Sequence, residues 1–93
     1  DQAREWVRMA KAKGVDGLKV TSFRPDIFGA LMDEAKKNGM GTVAHLAQTG
    51  VASMNALDAA RLGLGTITHF YGLFEAMYEG YKVQPYPEGY NYN

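Results

Sequence analysis

The sequence predicts an α/β fold in which a parallel sheet is assembled from repeated helix–strand units. Three observations carry that expectation. Helical hydrophobic patterns alternate with short runs rich in β-formers, each helix closes on a glycine, and the same helix-end, glycine, strand phrase occurs three times. The three copies are Ala12-Lys13-Gly14-Val15-Asp16-Gly17-Leu18-Lys19, Lys37-Asn38-Gly39-Met40-Gly41-Thr42-Val43-Ala44-His45 and Arg61-Leu62-Gly63-Leu64-Gly65-Thr66-Ile67-Thr68-His69. Their last residues, Lys19, His45 and His69, lie 26 and 24 residues apart, room for a strand, a loop and a three-turn helix. Strands of this apolar character, each separated from the next by a helix, belong to a parallel sheet.

Residues 3–13 open the chain as a helix, with Ala3, Trp6, Val7 and Ala10 on the apolar face and Arg4, Arg8 and Lys11 largely opposite. Gly14 caps it, and basic residues in its last turn suit the helix dipole. Gly17-Leu18-Lys19-Val20-Thr21 is the first strand. Pro25 marks the start of a second helix, where its missing N–H costs little; Ile27, Phe28, Leu31, Met32 and Ala35 form its buried stripe and Gly39 ends it. Thr42-Val43-Ala44-His45 is the second strand. A third helix is expected over residues 52–62, with Ala52, Ala56, Leu57 and Ala60 on one side and Gly63 as its stop. Thr66-Ile67-Thr68-His69 is the third strand. Residues 70–77 begin another helix or a loop over the site. Met32, Met40 and Met54 read as packing residues, and Asp26, Asp33, Glu34 and Asp58 as helix starts or solvated faces without chemistry.

The organisation that follows is a βα-repeat portion over residues 1–77 and a loop or lid over 78–93, where five tyrosines mix with Pro85, Pro87, Gly80 and Gly89. Ninety-three residues make one small domain. Ten basic side chains balance ten acidic ones, so no global field favours nucleic acid or an anionic membrane. Cysteine is absent, which excludes disulfides and thiolate metal sites and leaves the compartment open. No apolar run approaches the roughly 20 residues of a membrane span. Asp1-Gln2-Ala3-Arg4 has neither an initiator Met nor a leader pattern, so the chain is expected to be an internal segment. Three parallel strands leave two open edges, whereas a closed barrel needs about eight such units. The expected architecture is therefore the central βα units of a TIM (β/α)8 barrel, incomplete on its own. Its edges call for neighbouring chain, from the same polypeptide or from another copy in a homo-oligomer.

The strand ends carry the candidate chemistry. In parallel βα folds the C-terminal ends of the strands face the active site, so His45 and His69 point into one crevice. The plain structural alternative is a pair of histidines that only hydrogen-bond loop carbonyls. Lys19 takes the comparable place on the preceding strand, between Leu18 and Val20, where a buried ammonium is costly unless paired, neutralised or modified. Three readings stay open for it: a rim lysine with its head in solvent, a Schiff-base nucleophile of an aldolase-type lyase, or a lysine carboxylated by CO2 whose carbamate oxygens bind metal. Tyr71, just beyond His69, is a candidate substrate contact, with loop packing as the alternative.

Taken in order, Gly17-Leu18-Lys19-Val20, then residues 35–45 ending Thr42-Val43-Ala44-His45, then residues 56–69 ending Thr66-Ile67-Thr68-His69, resemble the middle of the amidohydrolase superfamily barrel. The likeness is closest to the prolidase and imidazolonepropionase-like branch and covers about residues 15–70. It implies that Lys19 is the carboxylated lysine of barrel strand four, His45 the ligand of strand five and His69 the ligand of strand six. It implies a divalent metal cofactor, two zinc ions bridged by the carbamate of Lys19, and a metal-activated water that hydrolyses amide, peptide or related C–N and C–O bonds of a small-molecule or peptide-like substrate. The family also uses an HxH pair on strand one and a catalytic aspartate on strand eight. Neither occurs here, so the resemblance implies no catalytic residue within these 93 residues and no turnover by them alone. A glutamate that many relatives carry before the strand-six histidine is Thr68 in this chain. A lyase using Lys19 and a non-catalytic βα binding fragment are the alternatives.

Overall fold

Left-handed glycines end three helices and turn the chain into each strand. Gly14, Gly39 and Gly63 have φ of 88°, 64° and 104°, a region that costs any residue with a Cβ. Around each of them the same two bonds form. Gly14, Gly39 and Gly63 donate to Lys11, Lys36 and Ala60, while the following Val15, Met40 and Leu64 donate to Ala10, Ala35 and Ala59 at 3.2, 2.9 and 3.1 Å. This paired pattern is the Schellman motif, and its threefold recurrence gives the sequence repeat its physical basis.

The computed structural model describes residues 2–47, 50–51 and 53–77. The expected loop or lid over 78–93 lies outside them. Within them the order is α1 (Gln2–Ala12), β1 (Gly17–Thr21), α2 (Pro25–Lys37), β2 (Gly41–His45), α3 (Ala56–Arg61), β3 (Thr66–Thr68) and α4 (Leu73–Ala76). The strands form one parallel sheet in the order β1-β2-β3. The result is a small mixed α/β unit, and none of its described helices is long and apolar enough to cross a membrane.

Register assigns the two faces. Leu18 pairs with Thr42, and Val20 with Ala44 and then Ile67; of these Leu18, Val20 and Ala44 are buried. They face a core made with Val7 and Ala10 of α1, Phe28, Leu31, Met32 and Ala35 of α2, Ala59 of α3, and Met40, Leu46, Val51 and Met54 from connecting segments. Lys19 pairs with Val43, which pairs in turn with Thr66, and Thr21 pairs with His45, which pairs in turn with Thr68. Because side chains alternate along a strand, these residues share the opposite face, where Lys19 and Thr21 are exposed.

Several expectations change. Trp6 is 47% exposed, and Ile27 also lies at the surface; only Val7 and Ala10 are buried on α1. Together with Phe23 and Asp26, Trp6 and Ile27 line a groove of about 930 Å³ beside the open edge of β1. The third helix begins at Ala56 rather than near 52, because Asn55 and Asp58 form a capping box that satisfies two terminal N–H groups. That start buries Ala59 and leaves Leu57 and Ala60 exposed. Residues 70–77 contain only the short α4.

Glu34 departs most from expectation, because it is buried rather than on a solvated face. Arg4 and Arg8 reach across from α1, Arg8 donating to Glu34 Oε1 at 3.0 Å and Arg4 to Oε2 at 3.3 Å. Arg4 also bonds Asp33, which Lys37 contacts at 2.7 Å. Met32, Met40 and Met54 are core residues as expected, and Asp58 serves the start of α3.

Candidate functional site

Lys19 and His45 stand on neighbouring strands and on the same, open face of the sheet. His45 lies opposite Thr21, two residues beyond Lys19, an offset of roughly 7 Å along the strand. A lysine stem of four methylenes is long enough to span that offset, and Lys19 also lines the groove that holds Trp6, Phe23, Asp26 and Ile27. The Lys19 side chain forms no ion pair or hydrogen bond with a described residue.

His69 reaches the same place by a different route. The cross-strand partner of His45 is Thr68, not His69. Alternation along β3 would therefore send the side chain of His69 to the helix-covered face. β3 instead stops at Thr68, and His69 takes φ of 66°. The reversed backbone returns its imidazole to the open face, with ring centroids 4.5 Å from His45. Left-handed backbone at a non-glycine residue costs on the order of 1–2 kcal/mol. Thr68, whose Oγ1 donates to the Ala44 carbonyl at 3.3 Å, ties the end of β3 to β2 just before this turn.

Tyr71 completes the cluster. Its ring lies nearly parallel to that of His45, 5.9 Å between centroids and 4° between planes. It also packs against the core and against Phe70 at 4.8 Å. Gly72 then fixes the segment after His69, accepting from the Ala56 N–H at 3.0 Å. Its φ is 86°, and a Cβ there would meet Leu46, Ala56 and Val51 at 3.0–3.2 Å.

His45, His69 and Tyr71 are thus clustered at the C-terminal end of the sheet, whereas Lys19 sits in the middle of β1, exposed and two residues short of the Thr21–His45 pair. Neither imidazole hydrogen-bonds to another described residue. No three His, Asp or Glu residues gather there as a metal-binding group among the described residues. The donor chemistry is two imidazoles plus an amine, and a carbamate on that amine would add two oxygen donors on the same open face. This set fits a divalent metal of the zinc type, which accepts nitrogen and oxygen ligands.

Sequence reading passed over two residues that shape the site, Ser22 and Gly50. The Ala47 N–H donates to Ser22 Oγ at 2.8 Å, and Gly50 approaches Ser22 so closely that a Cβ on it would collide with the serine Cβ. No local pattern announces a contact between positions 25 or more residues apart. No family model, curated protein or solved structure matches the chain.

Proposed function

We propose that this chain supplies barrel strands four to six of a metal-dependent hydrolase of the amidohydrolase type. On this reading β1, β2 and β3 are three consecutive strands of a (β/α)8 barrel, and the open face is part of its interior. The observation that carries the proposal is the return of His69, against strand alternation, to the face that already holds Lys19 and His45.

Lys19 is the residue that would bridge two ions. Its amine, once deprotonated, adds to CO2; a C–N bond forms and a proton leaves, converting a cation into an anionic oxygen ligand. His45 and His69 would each hold one ion through a ring nitrogen. Bound divalent metal supplies a water of lowered pKa and polarises the group to be cleaved, which serves amide, peptide and ester bonds alike. Tyr71, stacked on His45, bounds the pocket on one side and offers a hydroxyl to a small-molecule or peptide-like substrate. The ligands and the acid–base carboxylate that a complete binuclear site requires belong to the remainder of the polypeptide.

Metal analysis of the full-length polypeptide, grown with zinc and bicarbonate, tests the reading. At least one metal per chain is expected, falling in Lys19→Ala and His45→Ala. A metal-free wild type, or variants that keep normal activity, would overturn it. Borohydride with a carbonyl substrate separates the lyase alternative, because a carboxylated lysine has no free amine to trap.

A further inference from the structure

We propose that Ser22 is a positioning residue that sets His45 relative to Lys19; the proposal rests on the metal-site reading above. Ser22 directly follows β1, three residues after Lys19, and Ala47 lies two residues after His45. The backbone ladder between the strands ends at the Thr21–His45 pair. Beyond it the Ser22 hydroxyl oxygen accepts from the Ala47 N–H at 2.8 Å, extending the pairing by one side-chain bond.

Ala47 is held from its other side as well. Its carbonyl accepts from Gly50 at 2.8 Å and from Val51 at 3.2 Å, and the flanking Leu46 and Val51 are fully buried. These bonds hold Gly50 against Ser22. A Cβ at position 50 would collide with the Cβ and Oγ of Ser22. Glycine is therefore required for the hydroxyl to keep its place. Ala47, two residues after His45, is thus fixed at both its N–H and its C=O, and one of those anchors directly follows the strand that carries Lys19. A metal shared by the two residues needs their separation held to a fraction of an ångström, and bonds that orient ligands commonly govern affinity.

The test is Zn2+ binding and the absorption spectrum of Co2+ in the full-length polypeptide. Ser22→Ala is expected to fold, by circular dichroism of the metal-free protein, yet to bind Zn2+ about 10- to 100-fold more weakly and to alter the cobalt bands. In a His45→Ala background the same substitution should cost nothing further, because the serine acts through that histidine. Gly50→Ala should mimic the loss by pushing the hydroxyl aside. Ser22→Gly combined with Gly50→Ala restores the space without the hydroxyl, and should regain thermal stability but not affinity. That pair gives the answer should Ser22→Ala fail to fold. Wild-type affinity in either folded variant lacking the hydroxyl, or an equal loss with and without His45, overturns the proposal while the metal site stands. A wild type that binds no metal overturns both.

Discussion

His69 combines a strained backbone with a candidate ligand in one residue. It is the single non-glycine residue of positive φ among those described, and no glycine or asparagine in the sequence announces the turn. The strain gives a prediction that separates fold from site. His69→Gly relieves the left-handed backbone and His69→Ala does not, so the glycine variant should be the more stable by about 1 kcal/mol. Both should lose metal equally. Denaturant unfolding of the metal-free variants measures the first and metal titration the second; equal stabilities would show that the turn stores no strain. Lys19, His45 and His69 were legible as a trio because a repeating phrase ends on each of them. The meeting of His45 and His69 was only partly so. Equal spacing implies equivalent positions, whereas the register pairs His45 with Thr68 and leaves a backbone reversal to bring His69 back.

At the scale of elements, α1 and α2 are joined by charge where the sequence suggested solvated faces. Burial is the largest single influence on Glu34 and pushes its pKa up, but hydrogen bonds and charge from Arg8 and Arg4 outweigh it and leave the carboxyl below the ordinary 4.5. Lys37 first, then Arg4, holds Asp33 below 3.8. Both carboxylates are thus more acidic folded than unfolded. The stability they contribute is complete above the unfolded values and is lost as pH falls through the lower folded ones. Thermal melting between pH 7 and pH 2 should therefore show a plateau to about pH 5 and then a decline, less steep in Glu34→Gln. Parallel acid curves for the two proteins would refute the linkage. Gly72→Ala makes a second element-level prediction. Its positive φ and 3.0–3.2 Å neighbours should cost on the order of 1–3 kcal/mol, read as a lower unfolding midpoint and amide exchange gained first near Ala56. Helix ends were readable because glycine is an unambiguous local signal. The start of α3 was not, because an alanine-rich pattern runs on upstream while Asn55 and Asp58 place the first turn. Arg4 and Arg8 looked solvated because their partners lie 26 to 30 residues away.

For the whole molecule, the parallel order of three strands was readable from the repeat. The position of the unfilled surface was not. Helical periodicity placed Trp6 with Val7 and Ala10, yet α2 covers only part of that face, and Trp6 lines the groove with Phe23 and Ile27 beside the unpaired edge of β1. Among the described residues β1 and β3 each have a single strand neighbour, so no described strand pairs with the outer edge of either. An apolar groove next to an open edge favours whatever can add a strand and cover the indole. Isolated as 93 residues, the chain should self-associate as its concentration rises, and Trp6, the sole tryptophan, reports it. Its emission should be red-shifted and readily quenched by acrylamide in dilute solution, then shift to the blue as sedimentation shows larger species. Trp6→Glu should keep the chain smaller at the same concentration, because a carboxylate in the groove must be desolvated when a neighbour covers it. A monomer whose emission is independent of concentration would mean that the β1 edge is closed by the chain itself, and the barrel reading would then lose its need for an adjacent unit on that side.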